Sequence, residues 1–314
     1  MPWNAIFIPT RADGSSPMSA VKHIHTYKVV DDCNLEVDVF TVDSGHPRPV
    51  IVWLHGGALI MGNRVLPERY RDLYVQSGYT VVSVDYRLAP ETKLPAIVDD
   101  VKDACQWIRE EGPGLFNADP HHLAIIGHSA GGYLTLMAGC VVKPHPQALV
   151  SFYGYGDIIG AWYSRPDPFY CRQSPVSREE AYNAIGQKVI SGSNEPNDRH
   201  RFYLYCRQKG LWPKEIGGRD PHVEPEFFYP FCPIRNISAE YPPTMLLHGD
   251  NDTDVPYEQS VMMADALSHA GVEFELVSIP SGPHGFDFLV GDPEFSKISS
   301  RVLKFVDKHL RPNY

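Results

Sequence analysis

The 314-residue chain contains no apolar run near the roughly 20 residues that a membrane-spanning helix requires, so no span is expected. Positive charge is in short supply. Its 28 Lys and Arg stand against 38 Asp and Glu, a net charge of −10, which leaves little to attract a nucleic acid or an anionic membrane surface. The six cysteines (Cys33, Cys105, Cys140, Cys171, Cys206 and Cys232) are scattered without a C-x-x-C pair and are expected to be free thiols of a reducing compartment. Residues 1–20 lack both the basic start and the apolar block of a secretory signal, so the expected location is the cytoplasm. Neither His23/His25 nor His121/His122 has a carboxylate or thiol at ligand spacing, so no metal is expected. Internal repeats and low-complexity tracts are also missing.

What remains is an ordinary globular composition, 43% hydrophobic and 21% charged, long enough for one large α/β domain or a domain with a cap. Short apolar runs at 50–54, 80–84, 123–126, 148–152, 244–247 and 274–279 alternate with helical patterns. Those patterns lie at 67–76, 95–111, 132–142, 258–270 and 294–309. The alternation predicts an α/β fold with a mostly parallel central sheet flanked by helices. Two extended segments, 27–30 and 35–41, have no helix between them and predict an antiparallel edge hairpin. The rhythm breaks at 153–241. Its first 79 positions hold 15 of the 36 aromatic residues, and the stretch shows no strand pattern. Such a segment between strands is expected to be a helical cap, inserted after the sixth strand, rather than a structureless loop. The expected division is a catalytic domain, 1–152 with 242–314, and a cap or lid, 153–241.

Gly127-His128-Ser129-Ala130-Gly131 carries the chemistry. A β-branched apolar run precedes it and a helical pattern follows it, so the G-x-S-x-G sequence falls on a strand-to-helix turn that exposes the Ser129 hydroxyl. The free N–H groups of the following helix point toward the place where a carbonyl oxygen would become negative.

A serine hydroxyl needs a base, and the base needs an acid to fix its tautomer. His284, in the loop after the run at 274–279, is the candidate base. The loop after 244–247 carries Asp250, Asp252 and Asp254, with Asp252 the candidate acid. Loops that follow parallel strands open on one edge of the sheet, where residues distant in sequence converge. His55-Gly56-Gly57-Ala58 follows the run at 50–54. Its glycines allow a close backbone approach, and with the Ala130 N–H it is the candidate oxyanion hole.

Five motifs together resemble the hormone-sensitive-lipase-like carboxylesterases of the α/β-hydrolase superfamily. They are His55-Gly56-Gly57-Ala58, the block Tyr86-Arg87-Leu88-Ala89-Pro90-Glu91, Gly127 to Gly132, His248-Gly249-x-x-Asp252-x-x-Val255-Pro256, and Pro283-His284-Gly285-Phe286. The resemblance covers roughly 48–152 and 242–310. It implies Ser129 as nucleophile, Asp252 as acid by the spacing of its motif, and His284 as base. Gly57, Ala58 and Ala130 become the oxyanion donors, with Gly56 shaping the loop. Ala58 stands where the family commonly has a third glycine. The short N-terminal arm leaves the cap to the central insertion, which matches no assignable pattern.

The resulting expectation is a cofactor-free serine carboxylesterase acting on a small-molecule ester, with a homodimer left open. An amide hydrolase (arylformamidase or small peptidase) with the same triad is one alternative. A catalytically dead, receptor-like binding protein is the other. Trp162, Tyr163 and Trp212 suggest a cap closing over a compact pocket, and hence short or compact acyl groups.

Overall fold

A computed structural model of the chain describes residues 20–43, 45–193 and 196–311; the stretch 1–20, read above for a secretory signal, falls almost wholly outside them. The strands are β1 (Val21–Val30), β2 (Cys33–Thr41), β3 (Arg48–Leu54), β4 (Thr80–Val84), β5 (Ala118–His128), β6 (Ala148–Phe152), β7 (Thr244–Gly249) and β8 (Phe274–Ile279). They form a single sheet in the order β1-β2-β4-β3-β5-β6-β7-β8. The β1–β2 hairpin is antiparallel, β2 also meets β4 antiparallel, and every later pairing is parallel. This is the α/β-hydrolase fold.

Side chains alternate across the sheet as a strand period of two requires. In β3, Val50, Val52 and Leu54 join one hydrophobic cluster, while Ile51 and Trp53 join the other. The first face is covered by α2 (Leu94–Phe116), α3 (Ala130–Val141) and α8 (Glu258–His269). The second is covered by α1 (Glu68–Gln76) and α10 (Asp292–Leu310), with Tyr70, Tyr74, Val302 and Phe305 facing the sheet. Both faces of the central strands are buried, which explains their continuous apolar runs. At the edge, β1 leaves Val21, Ile24 and Val29 exposed.

Helix boundaries differ from the sequence pattern where local chemistry overrides it. The pattern at 95–111 ends too early. The helix runs through Pro113 to Phe116 and stops at Asn117, whose left-handed backbone donates its N–H to the Gly112 carbonyl. A proline in the last turns removes one donor without ending the helix, and burial of Phe116 holds the final turn in place. The short run at 123–126 is the middle of a longer strand, β5.

Between β6 and β7 the described residues form four short or moderate helices. These are α4 (Ala161–Ser164), α5 (Arg178–Tyr182), α6 (Pro196–Lys209) and α7 (Trp212–Gly217), with 3-10 turns at Tyr170–Arg172, Pro225–Phe231 and Pro233–Arg235. No strand occurs there among the described residues. The aromatic side chains stack on one another. Trp162 lies on Tyr163 with ring centroids 3.7 Å apart, and Tyr163 on Trp212 at 4.1 Å. Tyr163, Phe202 and Trp212 belong to the same hydrophobic cluster as α2 and α3, so these rings pack the insertion onto the body of the fold.

Arg199 of α6 adds a polar tie. Its guanidinium reaches the Glu91 carboxylate at 2.8 Å, the Ile60 carbonyl at 2.5 Å and the Ala89 carbonyl at 2.6 Å. The Glu91 side chain is only 1% exposed, so it depends on this partner. Arg199→Ala leaves a buried carboxylate without its cation and is expected to cost about 3–5 kcal/mol. Urea denaturation of the variant tests this, and a loss under about 1 kcal/mol, the range of an exposed pair, would show that the tie is not structural.

Candidate active site

The parallel register brings the strand ends level. Leu54 pairs with Gly127, His128 with Phe152, Phe152 with Leu247, and Gly249 with Ile279. The loops that leave these ends carry every candidate residue.

Ser129 connects β5 to α3 with φ 55° and ψ −117°, a backbone conformation that side-chain-bearing residues rarely adopt. Its N–H donates to the Phe152 carbonyl at 2.9 Å, and its carbonyl accepts from Tyr133 N–H at 2.9 Å. The turn is crowded. A Cβ on Gly131 would fall 2.1 Å from the Leu54 carbonyl oxygen, so no other residue fits there. The turn holds the hydroxyl out over the strand ends, and Ser129 lines a cavity of about 550 Å³.

His284 lies in the loop between β8 and α9 (Phe286–Leu289). Its Nε2 is 3.0 Å from Ser129 Oγ, and its Nδ1 is 2.7 Å from Asp252 Oδ2. The three clustered aspartates separate by geometry. Asp250 accepts the Ser281 N–H at 2.6 Å and so joins the loop of β7 to that of β8. The Asp252 side chain is fully buried; its Oδ1 accepts the N–H groups of Asp254 at 2.8 Å and Val255 at 2.9 Å. Asp254 points elsewhere. It accepts from the Tyr203 hydroxyl and from Arg207 Nη1 at 2.8 Å, and its Oδ2 stands 3.6 Å from His284 Nε2.

Burial opposes the charge of Asp252, yet hydrogen bonds from His248 and His284 outweigh it and hold the carboxyl far below the usual range. The Ser260 hydroxyl is 2.7 Å from His248 Nδ1, leaving His248 Nε2, 3.2 Å from Asp252 Oδ2, to face the carboxylate. For His284, burial works to lower the pKa, but Asp254, Asp252 and Asp287 prevail and raise it above the ordinary histidine value.

The candidate oxyanion loop follows β3. Gly57 adopts φ +110°, where a Cβ would lie 2.1 Å from the Met61 carbonyl oxygen. Ala58 and Leu59 are left-handed at φ 57° and 61°. Burial pushes the His55 pKa down to about 4, so its neutral ring stacks on Tyr86 at 4.2 Å and its Nδ1 lies 2.7 Å from the Gly56 carbonyl. Trp212 Nε1 donates to the Ala58 carbonyl at 2.9 Å. The N–H groups of Gly57, Ala58 and Ala130 donate to no other described residue. Gly56, Gly57 and Ala58 all line the cavity.

Below the turn, His128 stacks on Phe152 at 4.3 Å, with its Nε2 3.2 Å from the buried Asp287 carboxylate. Asp287 also accepts from the hydroxyls of Tyr70 and, at 2.7 Å, Tyr153. The Tyr153 ring meets that of His284 edge-on at 4.7 Å. Tyr203, Arg207, Tyr153 and Asp287 have no sequence signal as site residues, except that Asp287 follows His284 by three positions; Asp254 is one of the three aspartates of the acid-bearing loop, with nothing in the sequence to mark its place beside Nε2. Trp162, Tyr163 and Trp212 do not line the cavity. Its aromatic walls are Trp53, Tyr153, Tyr170, Tyr203 and Phe288, and the earlier three are occupied in packing.

Residues 51–288 match the model of a family with the α/β-hydrolase fold. The chain belongs to this family, the hormone-sensitive-lipase-like branch that its motifs resemble. A non-reducing polyketide synthase, ausA, of Aspergillus calidoustus is 29% identical over 300 residues, covering 79% of this chain and 12% of the synthase. Esterase LipC of Mycobacterium tuberculosis is 27% identical over 254 residues, covering 78% of this chain and 55% of the esterase. The chain thus spans a small fraction of such synthases and about half of that esterase. Among solved structures, a Staphylococcus aureus protein of unknown function superposes with TM-score 0.76 at 22% identity, covering 92% of this chain and 99% of its own. A bacterial heroin esterase gives 0.67 at 24%, covering 96% and 87%. Thermogutta terrifontis Est2, with butyrate bound, gives 0.65 at 21%, covering 93% and 96%. Identities this low speak for the fold. No helix among the described residues is long and apolar enough to cross a membrane.

The carboxylates around His284 stabilise its protonated form, so its titration midpoint is expected above about 6.5, the unperturbed value. Removing one of those negative charges, by Asp254→Asn, should lower the midpoint. An NMR titration of the imidazole in both proteins measures it, and an unchanged midpoint in the variant would refute the contribution of Asp254.

Proposed function

We propose that the chain is a serine carboxylesterase that hydrolyses short or compact carboxylic esters through an acyl-enzyme. The observation that carries this reading is the continuous chain from Ser129 Oγ to His284 Nε2 at 3.0 Å and from His284 Nδ1 to Asp252 at 2.7 Å, open to a cavity at the strand ends. Ser129 Oγ bonds to the ester carbonyl carbon while its proton moves to His284 Nε2. The displaced carbonyl electron pair becomes an oxyanion facing the N–H groups of Gly57, Ala58 and Ala130, with Gly56 shaping the loop; each such donor is worth about 3 kcal/mol. The carbonyl re-forms, the bond to the alcohol oxygen breaks, and Nε2–H protonates that oxygen. Water then repeats the cycle on the acyl-enzyme and releases the acid. Asp252 fixes the tautomer and stabilises the imidazolium. The insertion, 153–241, acts as a cap.

Ester rather than amide chemistry is supported by the esterase among the relatives and by the esterases that share the fold. Short acyl groups are supported by the cavity of about 550 Å³ and by the butyrate and propionate recorded in Est2.

An alkyl phosphonate should form a single adduct, on Ser129, by mass spectrometry, and Ser129→Ala should abolish both adduct and turnover. Asp252→Asn should lower kcat on the order of 10³–10⁴-fold. Labelling of a different serine would overturn the assignment. With p-nitrophenyl esters of increasing acyl length, kcat/KM should peak at short chains. A continuous rise to long chains, up to about 0.8 kcal/mol for each buried methylene, would refute the compact pocket and leave the triad standing.

A further inference from the structure

Two chemically different groups line the cavity. Trp53 and Phe288, both against the His128 ring, are apolar, as are Met61, Val65 and Pro67, while Tyr170 and His200 meet Tyr203, which bonds Asp254. Asp254 is the feature that the proposed hydrolytic cycle does not use. It is a carboxylate 20% exposed within the cavity, and it sits on the Nε2 side of His284 rather than on the Nδ1 side, where Asp252 already serves.

This carboxylate is held in place with care. Arg207, 1% exposed, donates from Nη1 to Asp254 Oδ1 at 2.8 Å and to the Asp254 carbonyl at 3.1 Å. The other arm of Arg207 pairs with Asp167 at 2.6 Å, and its guanidinium lies 4.7 Å from the Tyr170 ring centroid and 4.8 Å from that of Tyr163. The Tyr203 hydroxyl donates to Oδ1. An ionised carboxylate offers about four lone-pair positions. Arg207 and Tyr203 take two of them, both on Oδ1, and leave Oδ2, 3.6 Å from His284 Nε2.

We propose that Asp254 is a specificity-determining residue that accepts a hydrogen bond from a hydroxyl on the alcohol half of the ester, so that the preferred substrates are esters of polyhydroxy alcohols. This rests on the serine-esterase reading and deepens it. The alcohol oxygen must come within hydrogen-bonding reach of His284 Nε2 to be protonated, which brings the neighbouring carbons of the alcohol past Asp254. A hydroxyl on the next carbon meets an acceptor already oriented. The acyl chain is left to the apolar lining residues.

Charge selects a neutral donor over a cation. As the alcohol departs, His284 is an imidazolium 3.6 Å from Asp254, and Arg207 holds the opposite oxygen. An ammonium placed there would face both cations, whereas a hydroxyl faces neither penalty.

The test uses an isosteric pair with one acyl group, 2-hydroxyethyl acetate and n-propyl acetate, with acetylcholine and 3,3-dimethylbutyl acetate as the cationic pair. The expected result is a kcat/KM at least about tenfold higher for the hydroxylated ester. This ratio should fall toward unity in Asp254→Asn and Asp254→Ser, with folding followed by circular dichroism; the second variant guards against a misfolded first. Equal wild-type values would overturn the proposal without touching the esterase reading. A preference that persists in a folded variant would overturn it too, by placing the hydroxyl elsewhere. A preference for acetylcholine over its neutral isostere would make Asp254 a cation site and refute the hydroxyl assignment. Failure to hydrolyse any of the four esters would overturn the esterase reading, and this proposal with it.

Discussion

The turn at Ser129 is the constraint around which the rest is arranged. A residue at φ 55° and ψ −117° costs on the order of 1–3 kcal/mol and survives only where its surroundings over-determine it. Here they do. The Ser129 N–H is tied to β6 through Phe152, its carbonyl starts α3, and Gly131 presses against the end of β3 with no room for a side chain. The contact between Gly131 and Leu54 also sets how closely the His55 loop can approach the serine. The strain and the proximity of the candidate oxyanion loop are therefore consequences of one close packing of strand, turn and helix.

The insertion contributes to both sides of this centre. Trp212 and Arg199 bind the carbonyls of Ala58 and Ile60, which fixes the loop whose N–H groups face the cavity. Tyr203 and Arg207, one and two turns further along α6 than Arg199, fix Asp254 beside His284. Residues at i, i+4 and i+8 of a helix lie on one face, so a single face of α6 reaches both loops. The aromatic stack of Trp162, Tyr163 and Trp212 supplies the apolar packing that keeps this face docked, and Arg207 lies against the same rings.

The frame was legible in the sequence because its signals are local. Short runs such as Thr80-Val81-Val82-Ser83-Val84 and Ala148-Leu149-Val150-Ser151-Phe152 announce buried strands, and their alternation with helices implies a parallel sheet whose loops share an edge. Ser129 and His284 could be named because each follows a strand, and Asp252 because the spacing of the family's motif picks it from its loop; the structure places the three within hydrogen-bonding distance. Asp254 could not be read, since what distinguishes it from Asp250 is contact with Tyr203 and Arg207, about fifty positions away in a segment with no recognisable pattern. The aromatic residues misled for the same reason. Composition counted the rings of 153–241 correctly but could not say which face the core and which the cavity, and Trp162, Tyr163 and Trp212 turned out to face the core.

The electrostatics around His284 follow from how three neighbouring carboxylates are satisfied. Each has its own fixed donors: backbone N–H groups and His248 for Asp252, Arg207 and Tyr203 for Asp254, Tyr70 and Tyr153 for Asp287. Their charges are therefore held in place before any reaction, and their combined field favours a cation on the imidazole over a neutral ring. A preorganised field of this kind stabilises charge that develops during reaction without the cost of reorienting solvent. The contributions are not equivalent. Asp252 touches Nδ1 and sets the tautomer, while Asp287 acts from beneath through the Tyr153 ring that separates it from the histidine. Asp254 alone is held by side chains of α6, so the field at His284 is complete only while α6 is docked. The protonation of His284 and the walls of the cavity are thereby coupled through the same helix.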